Sequence, residues 1–305
     1  MKTKNLKAIR TYNSPFRALS FAMPEEENAD EFLFSEIKYN EKGNIIEERN
    51  YTSENRLEEK RTYKYDENGK LIEETVLHAA EDFEEKRKII RDEKGHSIEE
   101  IREYPDGTTE KTIIKRDDNE NITEIIVLDE DGEQESRQLF KYDDKNNLKS
   151  HVKLDMDGEV IEATECECDE HGNIIAKKEI LPEEGIEISS ETEYDEQGRE
   201  LRSTTYNEKG QKISEVEIVY DEKGNHIETI SKDYINRADS RRITFSYDDK
   251  NCIEERVMTL NDELLRQVNY CYDDNGNLIE EESLQPDYSK GGKQAYKKKY
   301  EYEYY

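Results

Sequence analysis

No stretch of this sequence approaches the roughly 20 consecutive apolar residues that a membrane-spanning helix requires. The N-terminal segment MKTKNLKAIRTYNSPFRALSFAMPEE also lacks the continuous apolar core of a secretory signal. Cysteine is scarce: Cys166, Cys168, Cys252 and Cys271 form neither a disulfide framework nor a C-x-x-C pair. Cys166 and Cys168 stand two apart, so on a strand they share a face rather than bond each other. This usage fits a reducing cytoplasm.

Apolar residues are few as well. Only 32% of the chain is hydrophobic and 40% is charged, with a net charge of −31. Such a balance usually marks disorder, because too little apolar surface can be buried to offset chain entropy. Two features oppose that reading: the 20 tyrosines, alongside many Ile and Thr, and the mere 5 prolines. β-Formers in a regular array can be ordered without a deep interior, since each strand mainly satisfies its neighbours. The acidic excess repels nucleic acid and anionic membrane surfaces. It favours a protein partner with a basic surface, or a cation.

The dominant signal is an internal repeat. The phrase Tyr39-Asn40-Glu41-Lys42-Gly43-Asn44 returns as Tyr65-Asp66-Glu67-Asn68-Gly69-Lys70, and again from Arg91, Arg116, Tyr142, Cys168, Tyr194, Tyr220, Tyr247 and Tyr272, at steps of 25 to 27 residues. The second position is Asp nine times and Asn once, a side chain that caps its own turn by accepting main-chain N–H bonds. The fifth is Gly seven times and Asn at Asn146 and Asn251, residues that tolerate positive φ. An Asx start with Gly closing the turn is the chemistry of a type I turn with a G1 bulge. Glu120 departs from the pattern, so its turn is expected to be the most strained or differently shaped. Weaker turn signals fall half a period away, such as Asp129-Glu130-Asp131-Gly132, Asp155-Met156-Asp157-Gly158 and Pro182-Glu183-Glu184-Gly185.

Between turns the pattern has period two. Two residues before each phrase stand Ile37, Tyr63, Ile89, Ile114, Phe140, Cys166, Thr192, Ile218, Phe245 and Tyr270. Across a hairpin of this length they are expected to face Ile46, Ile72, Ile98, Thr123, Lys149, Ile175, Leu201, Ile227, Glu254 and Ile279. The same register sets Arg61 opposite Glu74 and Arg87 opposite Glu100. The expected fold is all-β: a repetitive antiparallel β-hairpin meander of about ten hairpins, a single-layer strip that twists or curls. Its divisions are a basic N-terminal arm or cap (residues 1–30), the ten-hairpin repeat (31–285), and a loop with a closing strand (286–305).

The phrase Tyr-Asp-x-x-Gly-Asn/Arg-Leu/Ile, best seen at Tyr65–Leu71, Tyr194–Arg199 and Tyr272–Leu278, resembles the YD repeats of bacterial Rhs and toxin-complex proteins. The resemblance covers the chain from about residue 31. It implies β-hairpin repeats in a strip which, in that family, winds into a hollow shell around a toxin. No toxin domain is expected after the repeats, so the resemblance speaks for the hairpin architecture more than for encapsulation.

Catalytic chemistry is not expected. His78, His96, His151, His171 and His226 show no metal-ligand spacing, and the two Asp-x-Asp-Gly runs lack the remaining ligands of a calcium loop. Paired acids such as Glu47-Glu48 alternate faces on a strand and so do not form a hydrolase dyad. No metal or cofactor is therefore expected.

The expectation is a non-enzymatic acidic scaffold of a bacterial protein assembly. It would bind a basic protein through Glu47, Glu48, Glu73, Glu74, Glu99, Glu100, Glu280 and Glu281. Alternatives are a chaperone or immunity-type binder of a basic toxin, and a carbohydrate-binding strip that uses the tyrosine ladder. The basic arm is expected to dock on the acidic body, or to act as a docking peptide through Phe16, Leu19 and Phe21.

Overall fold

The computed structural model describes residues 5–14, 17–19, 31–249, 251–287 and 292–305. Among these residues are twenty-three β-strands, β1 to β23 in chain order, and one 3-10 turn at Arg237–Asp239. Among the described residues no helix is long and apolar enough to cross a membrane. Contacts divide the chain into two units: Met1–Lys88 with Tyr104–Asp106 and Ile243–Tyr305, and Ile89–Glu103 with Gly107–Arg242.

The turns follow from the phrase residue by residue. Between β5 (Leu57–Tyr65) and β6 (Leu71–His78), the Asp66 N–H donates to the Lys70 carbonyl at 2.9 Å and the Gly69 N–H to the Asp66 carbonyl at 3.0 Å. Asp66 Oδ1 accepts the Lys70 N–H at 2.8 Å. Gly69 sits at φ +80°, a left-handed conformation that costs an L-residue about 1–2 kcal/mol. Glu120 adopts φ +71° and keeps the same two backbone bonds, so its turn is strained but not reshaped. The odd turn is instead at Asp248, whose N–H reaches the Asn251 carbonyl, one residue sooner than elsewhere. The half-period turns at Asp129, Asp155 and Asn207 repeat the bonding of the strong ones.

The cross-strand register differs from expectation by two residues. Tyr63 faces Glu74, not Ile72, and Ile37 faces Glu48, not Ile46. Likewise Ile114 faces Ile125, Phe140 His151, Cys166 Lys177, Thr192 Ser203, Ile218 Thr229 and Tyr270 Glu281. The reason is a bulge just past each turn: Tyr65 pairs with Leu71, but Lys64 pairs with Glu73, leaving Ile72 as the extra residue. Ile46, Thr123, Lys149, Ile175, Leu201, Ile227 and Ile279 are skipped in the same way. Arg61 accordingly faces Val76, although its guanidinium still reaches diagonally to Glu74 at 3.5 Å. A shift of two preserves which face each side chain takes.

The open strip is the expectation that fails. All strands belong to one antiparallel sheet, and β1 (Leu6–Asn13) pairs on one side with β3 (Phe32–Tyr39) and on the other with β23 (Gly292–Tyr304). Neither the first hairpin nor the last strand keeps a bare edge. The pairing is that of a closed 22-strand antiparallel barrel, with the short β2 (Arg17–Leu19) continuing the β1 side of β23. The physical reason is the basic arm: β1 carries Lys7 and Arg10 into a seam flanked by Glu36 and Glu303. Closure removes the edges that would otherwise invite pairing with other chains.

Burial is shallow. Among the described residues the only buried hydrophobic side chains are Ala8, Cys166, Val268 and Ala295. Cohesion comes from the backbone ladder and from charge pairs laid across it.

Candidate interaction surface

The strand acids singled out in the sequence are consumed internally. In the first unit Glu47 contacts Lys38 at 2.8 Å, Arg49 at 3.0 Å and Lys60 at 3.3 Å. Glu73 contacts Lys64 at 2.7 Å and Lys86 at 3.2 Å, and Glu74 contacts Arg87 at 2.8 Å. On the opposite face from Glu47, Glu48 accepts the Tyr63 hydroxyl at 2.7 Å. Near the C-terminus Glu280 pairs with Lys297 at 3.2 Å and Glu281 accepts the Tyr300 hydroxyl at 3.3 Å. In the second unit Glu99 pairs with Lys111 at 2.8 Å, and Glu100 accepts the Ser97 hydroxyl at 3.3 Å. Each of the eight strand acids singled out in the sequence thus holds a neighbour in place.

The deepest such pair is in the second unit. Glu215, 7% exposed, contacts Lys212 and sits 2.9 Å from Lys232. Those two ammonium groups hold its carboxyl at about 2. Glu124, between Lys115 and Arg137, is also lowered.

The turns use their acids differently. Asp143 Oδ1 accepts the N–H groups of Lys145 and Asn147, both at 2.8 Å, and Oδ2 accepts the Asn147 amide at 3.0 Å. Asp169, Asp221 and Asp273 repeat this triple arrangement with Asn173, Asn225 and Asn277. These donated bonds pull the carboxyl pKa below its ordinary value in each case. The second-position acid is therefore structural.

The third position is not. It reads Glu41, Glu67, Glu93, Asp118, Asp144, Glu170, Glu196, Glu222, Asp249 and Asp274, an acid in every copy, and each is exposed. A carboxylate here is compatible with the turn, but the turn does not require one. In the second unit neighbouring turns touch: Lys94 reaches Glu120 at 3.1 Å, and the Asn119 amide reaches Asn146 at 3.2 Å. Within each unit, successive turns on the same edge are two strands apart, so these acids recur there about every 10 Å. Sequence reasoning fixes on the strand acids and passes over this row, although aligning the ten phrases displays it.

The tyrosine ladder has a structural role. The Tyr65, Tyr142 and Tyr194 hydroxyls donate to the carbonyls of Ile45, Ile122 and Ile174 at 2.6, 2.9 and 3.0 Å, each just before a bulge residue of the preceding repeat. That use competes with the ligand-platform reading. Among the described residues no group of three His, Cys, Asp or Glu is placed to hold a metal ion. The two Asp-x-Asp-Gly runs are turns in which Asp129 and Asp155 cap their own N–H groups. Of the proposed docking arm, Leu19 lies in β2, where its backbone pairs with Lys293, whereas Phe16 and Phe21 lie outside the described residues.

No known family profile matches the chain, and no curated protein matches it either. Solved structures similar to it include TcdB2-TccC3-TEV, at 9% identity and a TM-score of 0.36, covering 93% of this chain and 19% of that one. A Photorhabdus luminescens Tc holotoxin pore matches at 9% identity and a TM-score of 0.35, covering 89% and 18%. A porin-like protein from Bacteroides uniformis matches at 11% identity and a TM-score of 0.34, covering 98% of both chains. The chain spans less than a fifth of the two toxin-complex chains.

Proposed function

We propose that the chain is a non-enzymatic scaffold which presents its row of third-position turn acids to a basic protein surface. The observation that carries the reading is a division of labour. The eight strand acids singled out in the sequence and the second-position turn acids are spent on the fold, while the third-position acids are exposed at a regular spacing and the turn does not require them. A spacing of about 10 Å exceeds the screening length of about 8 Å at physiological ionic strength, so each acid can meet a cation with modest mutual repulsion. The cysteine thiols Cys166, Cys168 and Cys252 are pushed up by burial, away from the thiolate that nucleophilic chemistry needs.

An aqueous setting is part of the proposal. Both faces of β4 (Ile45–Tyr51), β5 and β6 carry charges at mid-strand: Glu48, Arg61 and Glu74 on one, Glu47, Lys60 and Glu73 on the other. Lysine or arginine facing lipid at the bilayer midplane costs about 2–4 kcal/mol per residue, with acids costing less, so neither face suits a hydrocarbon core.

The test compares two charge-reversed proteins of equal net charge. One carries Glu93, Asp118, Asp144, Glu170, Glu196 and Glu222 as lysine. The other carries Glu130, Asp131, Asp157, Glu183, Glu184 and Glu208 as lysine, at the turns on the opposite ends of the same strands. Calorimetric titration with a short polylysine should show binding that weakens with salt and is lost only in the first protein. Equal loss in both, or binding indifferent to salt, would count against the acidic row.

A further inference from the structure

The seam that closes the sheet is built by a strand from outside the repeat. β1 belongs to no repeat, and every cation and no acid of the chain up to Phe21 lies in its arm. Its register breaks on both sides, as it does in strands of the repeat, between Leu6 and Ala8 against β23 and between Thr11 and Tyr12 against β3. It is also enclosed along its length: Ala8 is 3% exposed and Asn13 5%. Arg10 reaches Glu36 at 2.8 Å and Glu303 at 3.1 Å, and Lys7 also contacts Glu303. The two cations hold the Glu303 carboxyl below its ordinary value. Lys297 and Ser14 exchange bonds at 2.9 Å, and the Tyr305 N–H donates to the Asn5 carbonyl at 3.0 Å.

The connection is equally unusual. Asn13 and Phe32 are direct cross-strand partners, which a hairpin joins with two to five residues. Here residues 14–31 lie between them, a length that spans up to about 60 Å when extended. Within that stretch β2 pairs with β23 as well, so β1 and β2 leave the seam together, and the twelve residues from 20 to 31 let them do so without dragging β3 from its place. A strand that is basic, non-repetitive, held through its main chain on both sides and attached by surplus chain has the attributes of a bound peptide.

We infer that the slot between β3 and β23 is a strand-binding site, filled in cis by β1, that takes a basic extended segment of a partner protein in its place. Main-chain bonds to both flanking strands would supply affinity, and pockets for alternate side chains would supply selectivity. The resident strand states the chemistry of the ligand: a cation to meet Glu303, a small side chain at the Ala8 position, a cation three residues before a polar pair to bridge Glu36 and Glu303. The site is distinct from the row of turn acids, and the six-lysine turn protein leaves it intact, so failure of either reading shows by itself.

The test uses the full chain with Arg10→Glu, which sets three carboxylates together at the seam, and a fluorescent peptide of residues 5–14, NLKAIRTYNS. Hydrogen exchange of the β3 and β23 amides should quicken about tenfold or more in the variant and recover when the peptide is added. The peptide should bind the variant at least about tenfold more tightly than the unaltered chain, since the tethered strand competes at a high effective concentration. A peptide carrying the same Arg10→Glu change should do neither. Exchange that stays slow in the variant, or that quickens and is not restored by the peptide, would overturn the site. Should the variant not fold, the unaltered chain is incubated with excess labelled peptide, and native mass spectrometry must show a one-to-one complex; none would overturn the site equally.

Discussion

At the scale of single residues, the phrase is a set of bonding instructions, and its glycines are the most sharply specified. Gly172 sits at φ +88°, and a Cβ added there would lie 2.9 Å from Asn147 Oδ1 of the preceding turn. Gly158, at φ +82°, has open space around it. Both Gly→Ala substitutions incur the left-handed cost of about 1–2 kcal/mol, but Gly172→Ala must also displace a capping amide. Its urea midpoint should fall further than that of Gly158→Ala; equal midpoints would show that the turns do not support one another. The tyrosine at the head of the phrase is a second instruction. Tyr65→Phe removes one hydroxyl bond to a carbonyl beside a bulge and should cost about 0.5–1.5 kcal/mol, read from the same denaturant curves.

At the scale of strands and hairpins, what holds neighbours together is titratable. Glu215 has a folded value of about 2 against an ordinary 4.5, so it binds protons less readily folded than unfolded. Its contribution is complete above about pH 4.5 and drains away as pH falls towards 2. Glu215→Gln should lower stability at pH 7 and flatten the decline between pH 4.5 and 2; thermal melts across that range decide it. An unchanged acid slope would mean that Lys212 and Lys232 do not share the charge as their positions indicate. The turn residues and the alternation made the hairpins legible from sequence, because Asp-to-Gly chemistry and period two act locally. The register was not, because the bulge residue is Ile in one copy and Thr123 or Lys149 in another. A bulge is set by backbone geometry past the turn, and no side chain announces it. For the same reason the sequence alone leaves the strand acids unpartnered, whereas the folded register brings Lys38, Lys60 and Lys86 across to them.

At the scale of the whole chain, 77 acids face 46 bases, and the surplus repels itself. Raising salt from about 10 mM to about 150 mM shortens the screening length from about 30 Å to about 8 Å. Self-repulsion acts over the longer distance, whereas the ion pairs act at about 3 Å and are screened less. The melting temperature at pH 7 should therefore rise with salt over this range; a fall would mean that the pairs, not the surplus, dominate. Closure was beyond the sequence because β1 carries no copy of the phrase and meets residues such as Glu303 almost 300 positions away.

Pairing β1 on both sides also imposes arithmetic on how such a chain can grow. Antiparallel neighbours alternate in direction, so a ring of them has a consistent seam only when the strand total is even, as it is with 22. One phrase-to-phrase period brings two strands. Adding or deleting a whole period therefore conserves parity and lets β1 meet both partners head to tail, whereas an insertion of half a period would oblige two strands at the seam to run the same way.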